Sequence, residues 1–220
     1  MSARLTQWIS LGLVLAALAV SAALYGDLPS QVATHFNAAG EPDGWSDRPT
    51  AALMMPAIMA GLWLMLWVLP KISPQGWRVE PFADVWYRCQ LAIIAFMLLM
   101  HVGVLGHAVG WWGADLGRMV MIGVGLLFAT LGNYLGKTTR NFFLGIRTPW
   151  TLASDEVWRR THRLGGWLMV GAGVALMVMG FTGVHELAIA VVIGVAVLVP
   201  AIYSFFAYRS IEGFKPPPDH

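Results

Sequence analysis

Leu187 to Tyr208 reads LAIAVVIGVAVLVPAIYSFFAY and carries no charge. A helix rises 1.5 Å per residue, so about 20 apolar residues cross the hydrocarbon core of a bilayer, and this stretch is long enough. Its Leu, Val, Ile and Ala are spread around all faces. That distribution suits lipid and bundle contacts rather than a half-wet helix. Working outward toward the N-terminus, five further segments read the same way: Leu164 to Phe181, Leu116 to Leu135, Val85 to Val109, Ala51 to Leu69 and Trp8 to Tyr25. Clusters of Pro, Gly and charge separate them. The expected fold is an all-α integral membrane protein, a bundle of six transmembrane helices.

Composition agrees. Hydrophobic residues make up 57% of the 220 and charged residues 12%, where a soluble domain carries roughly 25% charge. Disorder, polar solenoids and disulfide scaffolds are excluded. The single Cys89 rules out an internal disulfide or a cysteine-based zinc cluster. A net charge of +2 gives no basis for direct nucleic-acid binding, because the basic residues are confined to particular connections.

Those connections predict orientation. With the N-terminus inside, Arg4, Lys71, Arg78, Arg88, Lys137, Arg140, Arg147, Arg159, Arg160, Arg163, Arg209 and Lys215 fall on the cytoplasmic side, 12 of the 14 Lys and Arg, leaving Arg48 and Arg118 outside. Basic loops stay inside, so both termini are expected to be cytoplasmic. The first span also has a basic start and small residues near Ala19 to Ala23, as a signal peptide would. Its apolar run is longer than the usual signal core, which favours retention. Gly106 and Gly110, and Gly132 and Gly136, stand four apart and permit close helix approach, although chance produces such pairs in a chain with 24 glycines. Pro56 and Pro200 are expected to kink spans two and six.

Two connections hold most of the polar residues. The external one, Gly26 to Pro49, reads GDLPSQVATHFNAAGEPDGWSDRP. His35, Asn37, Glu41, Asp43 and Asp47 offer metal-type donors, but the spacing matches neither a calcium loop nor a zinc pair. Gly40, Pro42 and Gly44 read as tight turns, so an ordered turn structure leads, with a ligand- or peptide-binding surface as the alternative. His35, Asn37, Gly40, Asp43 and Trp45 are the candidate binding residues there. No metal and no cofactor is expected.

The cytoplasmic connection, Gly136 to Arg163, reads GKTTRNFFLGIRTPWTLASDEVWRRTHR. Gly132 to Thr138, GNYLGKT, looks like a phosphate-binding loop, but it has one residue too few and follows a membrane helix instead of a strand. Gly145 permits a sharp bend, and Pro149 pushes Thr148 to an extended conformation, so GIRTPW is expected to be non-helical. Ser154 reads as an N-cap with Asp155 and Glu156 in the first turn of a new helix. Trp158, Thr161 and His162 share one side of it, and Arg159, Arg160 and Arg163 form a basic side. Basic residues here also have a plain role at lipid phosphates. The density of Asn133, Asn141, Gly145, Arg147, Pro149, Trp150, Glu156, Trp158 and His162 nevertheless suggests a folded cap. Within it the Arg147 guanidinium could bond several carbonyls or a carboxylate such as Glu156. His101, inside span three, is an intramembrane candidate by default. A neutral His bonded to a neighbouring helix is the plainer reading. No motif of a hydrolase, zinc protease or thiol redox centre occurs, and no catalytic residue is assigned.

The stretch Gly132 to Gly166 closely resembles the signature of the SdpI family of bacterial membrane proteins. Leu28 to Trp45 resembles a domain of unknown function that commonly precedes it. The resemblance divides the chain into an N-terminal two-helix unit with the external loop (1–70; loop 26–49) and an SdpI-like four-helix region with the cytoplasmic loop (71–220; loop 136–163). It implies a multi-pass protein of the bacterial inner membrane and no cofactor. The implied role is immunity to, or sensing of, a toxic peptide outside, with a transcriptional repressor as the partner inside. An integral membrane enzyme or transporter for a small or lipid-like substrate, using His101, Arg147 or His162, is the alternative.

Overall fold

The computed structural model describes residues 2–37, 41–74, 79–112, 116–182 and 186–213. Seven helices are present among them: α1 (Ala3–Leu24), α2 (Arg48–Val68), α3 (Ala83–Ala108), α4 (Leu116–Leu135), α5 (Pro149–Ala153), α6 (Asp155–Thr182) and α7 (Glu186–Ile211). All but α5 are long and apolar enough to cross a membrane, giving six spans. Large apolar side chains such as Leu15, Val178 and Leu198 are more than half exposed, as a lipid-facing surface requires.

Local chemistry starts these helices. The Ser2 hydroxyl accepts the Leu5 N–H ahead of α1, and Asp47 accepts the Thr50 N–H ahead of α2, with Pro49 in the first turn. α2 runs on through a single 3-10 turn at Leu69–Ile72, and another at Glu80–Phe82 leads into α3.

The Gly26 to Pro49 loop is more ordered than a chain of turns. It folds as an antiparallel hairpin, β1 (Gln31–Phe36) with β2 (Pro42–Asp47), in register Val32 to Ser46 and Ala33 to Trp45, with irregularities on either side of His35. Val32 and Leu28 drop into a core made with Leu24, Ala51, Ala52 and Leu105. The Phe36 ring meets His107 edge-on at 5.7 Å. The hairpin is therefore seated on one end of α1, α2 and α3. The alternation of Val32, Thr34 and Phe36 was the strand signal, and the Gly and Pro around it obscured it.

α1, α2 and α3 pack as a group. The buried side of α1 is one helical stripe, Thr6, Ser10, Val14, Ala17, Ser21 and Leu24, not an even apolar coat. Val14, Ala17, Met59 and Ile94 fill the middle. Gln7 and Gln90 exchange amide hydrogen bonds toward one end, the shorter 2.9 Å.

α4 and α6 form the most extensive helix pair, and glycines let their backbones meet at the closest points. A Cβ placed on Gly125 would stand 2.6 Å from the Gly173 carbonyl oxygen. One on Gly132 would stand 2.8 Å from that of Gly166. Gly125 and Gly132 on α4, and Gly166, Gly173 and Gly180 on α6, recur every seven residues. That period keeps them on one face, and it was visible in the sequence where only four-residue pairs were read. α7 lies against α6, with Pro200 over Gly165.

Two expectations about the Gly136 to Arg163 connection change. The helix begun at Asp155 does not stop before the fifth span but is the same helix, α6, through to Thr182. Pro149 and Trp150 are helical, because Pro149 occupies the first position of α5, where its missing N–H costs nothing. Gly145 to Thr148 remains non-helical.

Candidate functional site

The cap is assembled from the end of α4 inward. Beyond Leu135 the Lys137 and Thr138 N–H groups bond back to the Tyr134 and Leu135 carbonyls. Asn141 then organises the loop. Fully buried, its Oδ1 accepts the Phe143 and Leu144 N–H groups at 2.8 and 2.7 Å, and its Nδ2 donates to the Thr139 and Leu144 carbonyls at 2.8 and 3.0 Å. That uses its side chain's full hydrogen-bonding capacity. Phe143 and Leu144 rest on Val79, Phe82 and Trp86, which joins the cap to the start of α3.

His162 is the second fixed point. The Ile146 N–H donates to its Nε2 at 2.9 Å, so Nε2 carries no proton and Nδ1 donates to the Trp158 carbonyl at 2.8 Å. Its ring stacks on Trp158 at 3.9 Å, and the Trp158 indole donates to the Thr138 carbonyl at 2.9 Å. Gly145 has φ +124°, and any Cβ there would collide with the His162 ring. Glycine is required twice over.

Thr148 and Thr151 close α5 with a reciprocal capping box, and the Thr151 hydroxyl donates to the Ile146 carbonyl at 2.7 Å. Thr148 and Ser204 hydroxyls meet at 2.8 Å, and the Ser154 hydroxyl donates to Glu212 at 2.6 Å, so the cap is tied to α7 and to the residue that follows it. Trp150 packs edge-on to Phe205 at 5.1 Å.

The arginine assignment needs correction. Arg147 is exposed and donates to the Phe142 carbonyl, and it does not engage Glu156. Glu156 is held instead by Arg159 and Arg160 on its own helix. The clamp is Arg140, which reaches Asp155 at 2.9 Å and the Leu152 carbonyl at 2.8 Å. A carboxylate one or two turns along the same helix is a nearer partner than one across a loop. Asn133 stands exposed on α4 outside this network.

At the other end, the hairpin brings His35 to Asp43 and Asn37 to Glu41, while Trp45 pairs in register with Ala33. His35 Nδ1 is 2.5 Å from Asp43 Oδ1, with the side chains 75% and 43% exposed. Asn37 and Glu41 are bonded in both directions through backbone and side chain. A Cβ on Gly44 would lie 2.9 Å from that of His35, which keeps this crossing close. Trp45 is 59% exposed. Gly40 lies outside the described residues.

His101 belongs to neither site. Buried in α3, its Nε2 lies 2.8 Å from the Ser21 hydroxyl of α1, which also lies 2.5 Å from the Ala52 carbonyl of α2. With Ser21 donating to that carbonyl, His101 donates to Ser21. Three helices are linked through one hydroxyl.

The two ends differ chemically. In the cap most donors and acceptors are spent on each other, the buried Thr161 hydroxyl being an exception, and both His162 nitrogens are occupied. On the hairpin, polar groups are ordered and open to solvent.

Residues 137–204 match the model of the SdpI/YfhL protein family, and residues 12–60 match that of a domain of unknown function, DUF1648. The chain is 22% identical over 209 residues to the immunity protein SdpI of Bacillus subtilis (strain 168), covering 94% of this chain and 98% of that protein. No solved structure matches the chain. The SdpI resemblance and the preceding domain read from the sequence are thus both borne out.

Proposed function

We propose that this multi-pass membrane protein, which carries the SdpI/YfhL region behind a DUF1648 region, is an immunity or toxin-sensing protein of the bacterial inner membrane. The observation that carries the proposal is the end-to-end similarity to an immunity protein, 94% of one chain against 98% of the other. The hairpin faces outward and meets a peptide through His35, Asn37, Asp43 and Trp45. The cap faces the cytoplasm, where the basic residues concentrate, and its outer surface around Arg159 and Arg160 meets a regulator such as a repressor. This reading is of a binding protein and not an enzyme: the buried imidazoles of His101 and His162 are both hydrogen-bonded inside the fold.

The test is survival of a toxin-sensitive host expressing each variant at equal membrane level. His35→Ala, Asp43→Ala and Trp45→Ala are expected to lose resistance, and His162→Gln to retain it wherever the protein still reaches the membrane. Full resistance in all three hairpin variants would overturn the reading. Orientation is checked with cysteines introduced at Glu41 and Ala153. A membrane-impermeant maleimide on intact spheroplasts should label the first and not the second.

A further inference from the structure

Below the cap, the α4–α6 seam is open along one side. Gly132, Gly136 and Gly166 contribute no side chains, and a cavity of ≈ 270 Å³ lies there, walled by Asn133, Trp167 and Val170. A second cavity of ≈ 630 Å³ shares Gly136 and Lys137 with it and continues up to Arg140 and Arg159. The two adjoin at Gly136 and Lys137, a furrow that runs from beside the cap to Val170 on α6.

Lys137 and Arg163 stand at the junction. A Cβ on Gly136 would be 3.4 Å from the Arg163 Cα, so the two basic residues leave adjacent backbone. Both are exposed, and among the described residues neither is paired with a carboxylate, whereas Arg140 and Arg159 are. α4 ends at Leu135, which puts these cations where a span meets the headgroup layer. Beneath them Trp167 is 71% exposed, and the Asn133 side chain has no hydrogen bond among the described residues. A soluble anion would leave the lower, apolar furrow unused, and a bare acyl chain would leave the cations unused. The Lys137 and Thr138 N–H groups are already bonded to carbonyls of α4, so the GKT stretch offers no backbone nest for a nucleotide.

We propose that the furrow binds one anionic phospholipid, with its phosphodiester between Lys137 and Arg163, an acyl chain beside Trp167, and an ester carbonyl on the Asn133 amide.

Full-length protein purified in a neutral detergent is titrated with phosphatidylglycerol or phosphatidylcholine, and bound lipid is counted by native mass spectrometry. Phosphatidylglycerol is retained preferentially, and Lys137→Gln with Arg163→Gln weakens it roughly thirtyfold, at about 1 kcal/mol per basic residue. Arg4→Gln with Arg209→Gln removes the same charge elsewhere at this end, at two exposed positions, and leaves binding unchanged. Asn133→Phe, on an exposed position, fills the furrow with the cations intact and also expels the lipid. Equal retention of the two lipids overturns the proposal. So does an equal loss in the control pair, wild-type binding by Asn133→Phe, or displacement of the lipid by inorganic phosphate or ATP, which would make this a soluble-anion site. If the double variant aggregates, Lys137→Gln and Asn133→Phe singly decide.

Discussion

In the α1–α3 group the helices are held apart by side chains. Val14, Met59 and Ile94 fill the space, and Ser21 with His101 links the three helices. In the α4–α6 pair the backbones themselves touch, at Gly125 with Gly173 and Gly132 with Gly166. Inside a bilayer both solutions work, because association there rests on packing and hydrogen bonds and not on escape from water. They fail differently. A side-chain interface has rotamers that can adjust, whereas a glycine contact has nothing that can move aside. The cap sits at the end of the rigid pair, and the exposed hairpin on the end of the adjustable group.

The sharpest way to break the contrast is to put a side chain into the backbone contact. Gly173→Leu is expected to cost at least about 3 kcal/mol and to lower the Tm in detergent by roughly 6–12 °C. Gly171→Leu, two residues away with open space around it, should leave the Tm unchanged. A similar loss for both would mean that the seam is not special.

Asn141→Ala comes next. It strips four hydrogen bonds and leaves the Phe143 and Leu144 N–H groups without their partner, for an expected loss of about 2–4 kcal/mol. Denaturation followed by Trp fluorescence would report it. Gly145→Ala should fall in the same range, since it combines a left-handed backbone with a clash on His162.

On the adjustable side the expected effects shrink. Ser21→Ala removes the shared hydroxyl from His101, and intramembrane hydrogen bonds of this kind average about 0.6 kcal/mol, with a ceiling near ~1.7. A loss larger than that of Asn141→Ala in the same assay would reverse the comparison. The smallest effect belongs to Arg147→Ala. With one carbonyl contact at an exposed site it should change stability by less than about 0.5 kcal/mol, while Arg140→Ala, which frees Asp155 and the Leu152 carbonyl, should change it more.

The six spans were legible because apolar length is a property of single segments. Their ends were less so. Span five was begun at Leu164 because the preceding Arg and His are polar, yet a helix continues through polar residues as readily as apolar ones, and α6 starts at Asp155. The hairpin was hidden by its own turn residues. In the cap, Gly145 announced itself through its backbone freedom and Ser154 through its capping hydroxyl, while Pro149 was right for the extended Thr148 before it and wrong for itself. Partner choice carried no such sign: nothing in the sequence distinguishes Arg140 from Arg147, since the outcome depends on how the loop folds back on α6. The seven-residue glycine series stood in the sequence throughout, spread across two spans whose pairing is decided only by the fold.

One uninterrupted helix has a mechanical consequence. α6 has 28 residues, a rod of ~42 Å against a hydrocarbon thickness of about 30 Å. Its first turns therefore project beyond the bilayer core, and they carry Trp158 and His162, on which the loop is built. Bound to α4 by inflexible contacts and free of proline, the rod has no joint to absorb a disturbance. It behaves as a lever: a tilt of ~5° imposed at the far face would sweep the cap sideways by roughly 4 Å. α7, with Pro200 in its middle, lacks one of its internal hydrogen bonds and is the compliant strut beside it.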